Sequence, residues 1–297
     1  MRIFVTGASG WVGSATVAEL LAAGHEVVGL ARNDASAAAI VAAGAQPFRG
    51  SLDDPAGLAD AADRSDGVLH LAFRHDFSDF AGAGRTERAA VDAMATALAG
   101  SGRPLLLASG IAGLAPGRVA TERDPSPFAG PDAPRGGSEN LALEYVERDV
   151  RVVSLRFAPT VHGQGDHGFI ATLVGIAQEK GVAGYIADGS ARWAAASRSD
   201  VARMNTLAIE KAPAGSILHG VGEEGIQTRE IAEAIGDQLG LPTVSVAPED
   251  AAAHFGWMAR FFGTDMAASS TLTQKLLGWT PSGPTLLQDL ESGCYTP

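Results

Sequence analysis

Arg2 to Gly13 reads RIFVTGASGWVG, and the fold turns on this stretch. Arg2 to Gly7 is a short β-branched run that stops at glycine, the pattern of a buried strand. Val12 to Ala23 carries apolar residues at Val12, Val17, Leu20 and Leu21 and is closed by Gly24, which predicts a helix. Gly7, Gly10 and Gly13 lie between the two, three residues apart. A strand that turns through spaced glycines into a helix is the setting of a dinucleotide cradle. Gly7 permits the tight turn, Gly10 lets the backbone approach a diphosphate, and Gly13 allows close contact between helix and strand. Ser9, Trp11 and Val12 complete the cradle, whose free N–H groups and positive helix end face the phosphates.

Beyond Gly24 the alternation continues. HEVVGLAR (His25 to Arg32) reads as a strand, Ala35 to Ala43 as a helix, AQPFRGSL as a strand and Pro55 to Ala62 as a helix. GVLHLAF (Gly67 to Phe73), a helix over Thr86 to Ala99 and RPLLLASG (Arg103 to Gly110) follow. Strands and helices at this pitch predict an α/β fold, a Rossmann-type doubly wound parallel sheet covered on both faces. Between Ile111 and Gly137, Pro116, Pro125, Pro127, Pro131 and Pro134 punctuate a glycine-rich stretch too long for a simple connection and suited to covering a site. Ser138 to Arg148 reads as a helix, Val150 to Phe157 as a strand, Phe169 to Lys180 as a helix, Ser216 to Gly222 as the last strand and Gln227 to Leu239 as a helix. Residues 1–161 are expected to form the dinucleotide-binding domain, with 200–222 returning to its sheet. Residues 162–199 and 223–297 are expected to form a smaller substrate lobe.

With 297 residues, 46% hydrophobic and 19% charged, the chain suits a globular protein with a sizeable core. A formal net charge of −12 repels phosphate backbones, so no nucleic-acid partner is expected. No apolar run approaches the roughly 20 residues that span a bilayer. Cys294 is the sole cysteine, which excludes an intrachain disulfide or a cysteine-rich metal site. The chain opens Met-Arg and enters its first strand with no signal peptide read ahead of it, and a cytoplasmic location is the expectation.

The end of the second strand chooses the nucleotide. An acidic residue there suits the ribose 2′-hydroxyl of NAD, and an arginine suits the 2′-phosphate of NADP. Arg32 takes that place, with Asp34 two residues on, and NADP(H) is expected in preference to NAD(H).

The glycine spacing, strand pattern and length resemble the extended and atypical short-chain dehydrogenase/reductases, nearest the NAD-dependent epimerase/dehydratase-like branch. GSLDD (Gly50 to Asp54) resembles the family's adenine-side turn, which implies cofactor contacts at Ser51 and Leu52. HLAF resembles the loop beside the cofactor ribose, implicating Leu71, Ala72 and Phe73. LRFAPTVHGQGD resembles the segment whose backbone approaches the nicotinamide, implicating Ala158, Pro159 and Thr160. Ser109 stands at the place of the family's catalytic serine. VHGQGDHGF, DGSARW and Asp200-Val-Ala resemble an atypical branch that tends to carry a histidine three residues before the aspartate; Ser197 stands there instead.

One departure outweighs these matches. The family's catalytic tyrosine is followed four residues later by a lysine. Here Asp149 follows Tyr145 at that spacing, Gly189 follows Tyr185, and Tyr295 lies too near the end. Lysine occurs only at Lys180, Lys211 and Lys275, none of them between the fifth and sixth strands. Matching PRGGSENLA to the family's helix puts Arg135 at the tyrosine place and Glu139 at the lysine place.

The candidates for proton chemistry are therefore Ser109, His162 and Arg135. Ser109 ends a strand on the cofactor side, where it can bond a substrate oxygen. An imidazole titrates near neutrality, so His162 can donate a proton, or it bonds the loop backbone. Arg135 can polarise a carbonyl or hold a carboxylate, or it is a surface charge. His167 and His70 read as structural, and Asp166 sits in the same loop as His167. His162 and His167, five apart in a glycine-rich loop, do not suggest a metal site, and no GxSxG elbow points to a hydrolase. Phe169, Tyr185, Trp193, Phe255, Trp257 and Met258 either line an apolar substrate pocket or form core. If FGWMARFF is helical, Phe255, Met258 and Phe262 share one face and Trp257 and Phe261 another, leaving one apolar face for substrate or a homodimer contact. The leading reading is an NADP(H)-dependent oxidoreductase of a small molecule. The alternatives are a catalytically silent NADP(H)-binding sensor or scaffold, and a sugar-type epimerase or dehydratase.

Overall fold

A computed structural model of the chain describes residues 1–74 and 79–295. Its first strand, β1 (Arg2–Thr6), is buried from Ile3 onward and turns at Gly7 into α1 (Trp11–Ala22), which buries Val17 and Leu20 against the sheet. The pattern then repeats through β2 (Glu26–Ala31), α2 (Asp34–Ala42), β3 (Gln46–Arg49), α3 (Pro55–Asp63), β4 (Gly67–His70), α4 (Phe80–Leu98) and β5 (Pro104–Gly110). Local chemistry starts the helices. The Asn33 side chain accepts from the Ser36 amide ahead of α2, and Asp54 accepts from the Gly57 amide with Pro55 opening α3. Helix α4 starts at Phe80, six residues before the expected Thr86, because Asp79 caps it through the Gly82 amide.

After the proline-rich stretch come α5 (Ser138–Glu144), β6 (Arg151–Phe157), β7 (Thr160–His162), α6 (Phe169–Lys180), β8 (Ala183–Ile186), β9 (Arg192–Ser197), α7 (Arg198–Lys211) and β10 (Ser216–Gly220). Then follow β11 (Glu223–Gln227), α8 (Thr228–Leu239), β12 (Thr243–Val246), α9 (Ala251–Phe255), α10 (Ala259–Phe262), α11 (Thr271–Leu277) and α12 (Leu286–Glu291). The central sheet runs β3-β2-β1-β4-β5-β6-β10, all parallel. The strand order reverses between β1 and β4, which opens a crevice at the carboxyl ends of those strands. One face of the sheet buries Val17, Leu20, Met204, Ile209 and Trp279; the other buries Leu58, Val91, Met94, Leu98 and Tyr145.

A second core holds the smaller lobe together. It joins the three-stranded sheet β11-β9-β7 and the pair β12-β8 with α6, α8 and α12 around Trp193, Ile231, Phe255, Met258 and Phe262. Trp193, Phe255 and Met258 are lobe core, not pocket wall. The stretch FGWMARFF is no continuous helix: the chain breaks at Gly256, where φ is +57°. Phe255, Met258 and Phe262 nevertheless point inward, while Trp257 stays 46% exposed. The proline-rich stretch is pinned rather than free, because Ala120 exchanges backbone hydrogen bonds with Ala267 and Ser269, at 2.9 and 2.8 Å. No helix among the described residues is long and apolar enough to cross a membrane.

Candidate active site

The cradle is drawn tight by its glycines. Gly7 has φ +70°, and a Cβ there would lie 2.8 Å from the Ala72 nitrogen and 2.9 Å from the Leu71 carbonyl carbon, so the turn rests on the Leu71–Phe73 loop. A Cβ on Gly13 would collide with the carbonyl oxygen of Gly7. Gly10 begins α1 without a side-chain cap, which leaves the first amides of the helix facing the crevice. Ser9 and Gly10 are exposed there, with Trp11 and Val12 half-buried. Thr6 ties the floor: its hydroxyl accepts from the Ala72 amide at 3.2 Å and meets His70 Nδ1 at 2.8 Å. An open, uncapped and Cβ-free turn fits the diphosphate of a nicotinamide dinucleotide.

At the far end of β2, Arg32 is exposed and has no partner among the described residues. Asp34 is taken up instead by Arg49 at the end of β3, Nη2 to Oδ1 at 2.6 Å. Ser51 and Leu52 follow β3 half-buried, beside an Arg74–Asp53 ion pair at 2.6 Å.

At the carboxyl ends of β4, β5, β6 and β10 the site is built from buried charges. Ser109 donates to Glu139 Oε2 at 2.8 Å, and Arg156 Nε donates to Glu139 Oε1 at 2.8 Å. Arg156 is fully buried and also donates from Nη1 to the Asp124 carbonyl at 2.7 Å. Ser109, Arg156 and His219 are register partners on adjacent strands, so they form one row on one face of the sheet. The His219 ring meets the Ser269 carbonyl through Nδ1 at 2.8 Å, and burial lowers its pKa, so it is held neutral. Glu122 closes the row from the proline-rich stretch, accepting from the amide and hydroxyl of Thr273. Glu139 was placed by the sequence, but Arg156, Glu122 and His219 were not singled out. Arg156 did leave a signal: an arginine inside the apolar run VVSLRF needs a buried partner.

Arg135 lies one step along the crevice. It is left-handed (φ +53°) and is followed by Gly136 and Gly137, both at φ +61°. Its guanidinium forms a bidentate pair with Glu87 and stacks 4.5 Å above the Phe73 ring. Arg88 donates to the Gly136 carbonyl at 2.9 Å, and Ser138 donates to the Arg135 carbonyl at 2.6 Å, so the unusual turn is fixed from both sides. Glu87 is buried, which raises its pKa against the opposing pull of Arg135. His70, also buried, has its pKa lowered to about 3, first by burial and then by the Arg135 charge.

The structure does not bring His162 to this group. Its ring is wholly buried in the smaller lobe, with Nδ1 2.6 Å from Asp289 on α12 and Nε2 3.7 Å from Glu223 on β11. Burial favours the neutral ring, but the carboxylates of Glu223 and Asp289 outweigh it and raise the pKa. With both nitrogens facing carboxylates and no exposed edge, His162 holds β7, β11 and α12 together and offers no proton to the crevice. The reason is local: after Ala158, Pro159 and half-buried Phe157 the chain leaves the main sheet and pairs as β7 with β9, which turns the ring away. Thr160 and Ala158 are buried at that exit, and the Ala158 amide donates to the Gly220 carbonyl. Asp200 is likewise an anchor, accepting from Ser197 Oγ and from the amides of Ser282 and Gly283. No group of three or more His, Cys, Asp or Glu side chains among the described residues is placed to hold a metal ion.

Residues 3–219 match the model of the NAD-dependent epimerase/dehydratase family. An uncharacterized protein of Schizosaccharomyces pombe is 45% identical over 296 residues, covering 99% of this chain and all of its own length. An uncharacterized protein of Saccharomyces cerevisiae is 41% identical over 298 residues, covering 98% of each chain. Among solved structures, the dTDP-glucose 4,6-dehydratase DesIV of Streptomyces venezuelae, a double mutant with NAD bound, superposes with a TM-score of 0.79 at 21% identity, over 99% of this chain and 96% of its own. The chain belongs to the NAD-dependent epimerase/dehydratase family.

Proposed function

We propose that the protein is an NADP(H)-dependent oxidoreductase of a small organic substrate, with Ser109 and Glu139 handling the proton. The observation that carries this reading is the hydrogen bond from Ser109 to a carboxylate that Arg156 holds from behind, at the sheet end where a dinucleotide's second half lies. The bound cofactor would accept or deliver the hydride at its nicotinamide. Because the Ser109 proton points to Glu139, the free lone pairs of Ser109 Oγ are left for a substrate hydroxyl. In the oxidation direction the substrate O–H proton passes to Ser109 Oγ as the Ser109 proton passes to Glu139; in reduction both move back. Arg156 keeps Glu139 in place and compensates its charge when it is ionised. Arg135, neutralised by Glu87, supplies a hydrogen-bond donor beside Phe73 rather than a free cation for a carboxylate substrate.

The preference for NADP(H) is supported by Arg32, exposed at the end of β2 and without a partner among the described residues, and by Asp34, whose charge is engaged by Arg49. Titration of the protein with NADPH and NADH tests the cofactor half of the reading; equal affinity, or tighter NADH, would remove it. NADPH oxidation against a panel of aldehydes, ketones and quinones tests the chemical half. Tight NADPH binding with no turnover anywhere in the panel would replace the enzyme with a cofactor-binding sensor.

A further inference from the structure

Arg198, the first residue of α7, follows β9 of the smaller lobe and reaches the start of α1, against which α7 packs. Its Nε donates to the Trp11 carbonyl at 2.6 Å and its Nη2 to Ser14 Oγ at 2.6 Å. Its guanidinium carbon lies 4.1 Å from the centre of the Trp11 ring. Among the described residues Nη1 has no partner and no carboxylate pairs with the side chain. That sets Arg198 apart from Arg49, Arg74, Arg135, Arg156, Arg192 and Arg203, each of which faces a carboxylate. Half-buried Arg88 and Arg151 also pair with no carboxylate among the described residues, but they serve the backbone carbonyls of Gly136, Ala212 and Ile209, whereas Arg198 stands against the first turn of the cradle helix.

Its position sharpens the point. The uncapped N-terminus of α1 carries partial positive charge, and a cation fixed against that turn is repelled by it. A bound anion reverses the sign of both interactions. Trp11 is also fastened to the smaller lobe, through Nε1 to the Val161 carbonyl at 2.7 Å and through an edge contact with His167. The cradle and the smaller lobe therefore meet at Trp11, with Arg198 at the start of the helix beside it.

We propose that Arg198 is the counter-charge for the cofactor diphosphate, held beside the cradle by the packing of α7 on α1. The proposal rests on the dinucleotide reading but not on the choice between NADP and NAD, which share the diphosphate. The test measures the binding of NADPH, ADP-ribose and 2′-AMP by calorimetry to the wild-type chain, Arg198→Gln and Arg198→Lys. Loss of the charge in Arg198→Gln is expected to weaken NADPH and ADP-ribose by roughly 10–100-fold. The same change leaves 2′-AMP, which has no diphosphate, within about twofold. Arg198→Lys keeps the charge and is expected to recover much of the loss. If Gln and Lys bind NADPH alike, or if 2′-AMP falls in step with the two diphosphates, the proposal is overturned. Failure of the wild-type chain to bind ADP-ribose, which carries the diphosphate that both cofactors share, would overturn the cofactor reading itself, and the proposal with it.

Discussion

At the carboxyl ends of β1, β2 and β3 the groups that line the crevice are amides, glycines and the exposed Arg32. At the carboxyl ends of β4, β5, β6 and β10 they are buried or half-buried side chains tied in pairs: Arg135 to Glu87, Arg156 to Glu139, Ser109 to Glu139. The first half makes its site by leaving atoms out, since an added Cβ closes it. The second makes its site by burying charges that are tolerated only when matched. A backbone cradle is specified within a dozen residues. A charge network needs segments from distant parts of the chain, and its failure costs the fold as well as the site.

The largest effect should fall on the charged half. Arg156→Met leaves Glu139 buried without its partner and is expected to destabilise the protein by about 3–5 kcal/mol in urea unfolding. The double change Arg156→Met with Glu139→Gln should recover much of that loss, because no charge is then stranded. If the single and double variants unfold at the same urea concentration, the pair is not the buried ion pair described. Next comes the cradle. Gly13→Val drives a side chain into the Gly7 carbonyl; a stability loss of about 1–3 kcal/mol is expected, with NADPH binding weakened by more than about 100-fold. Binding within tenfold of the wild-type chain would show that the diphosphate does not use this turn.

These two halves differed in how readily the sequence disclosed them. β1, α1 and the following units were legible because glycine spacing and β-branched runs are local signals. The smaller lobe was not. RWAAAS forms β9 although alanine has poor strand preference, because the strand is buried between β7 and β11 and its neighbours decide its state. β8 pairs with β12, sixty residues away, a contact with no local trace. Arg156 advertised a buried partner and Glu139 was named at the family's lysine place, but no local signal joined the two, which meet across 17 residues and from different elements. His162 misled for the same reason: its motif lies next to the crevice in sequence, while its ring is claimed by Asp289, 127 residues further on.

Smaller effects refine the comparison. Arg32→Ser is expected to weaken NADPH by about tenfold and leave NADH unchanged. An equal loss for both would mean that Arg32 does not read the 2′-phosphate. The smallest signals come from two histidines that titrate in opposite senses. His162 has a raised folded pKa, so its contribution is fully present below the unfolded value near 6.5 and is lost as pH rises through the folded value. His70 has a lowered pKa, so its contribution is present above 6.5 and is lost as pH falls toward about 3. Urea unfolding across pH should therefore lose its high-pH decline in His162→Asn and its low-pH decline in His70→Asn. Unchanged profiles in both variants would contradict the buried environments assigned to the two rings.

The most direct measurement is NADPH-dependent turnover of a carbonyl compound by the wild-type chain, Ser109→Ala and Glu139→Gln, with NADPH affinity measured on the same samples. Turnover in the wild-type chain is expected to fall roughly 10²–10⁴-fold in both variants while NADPH still binds. Undiminished turnover in Glu139→Gln would contradict the role given to the Ser109–Glu139 pair, and tight NADPH binding without any turnover would contradict the enzyme itself.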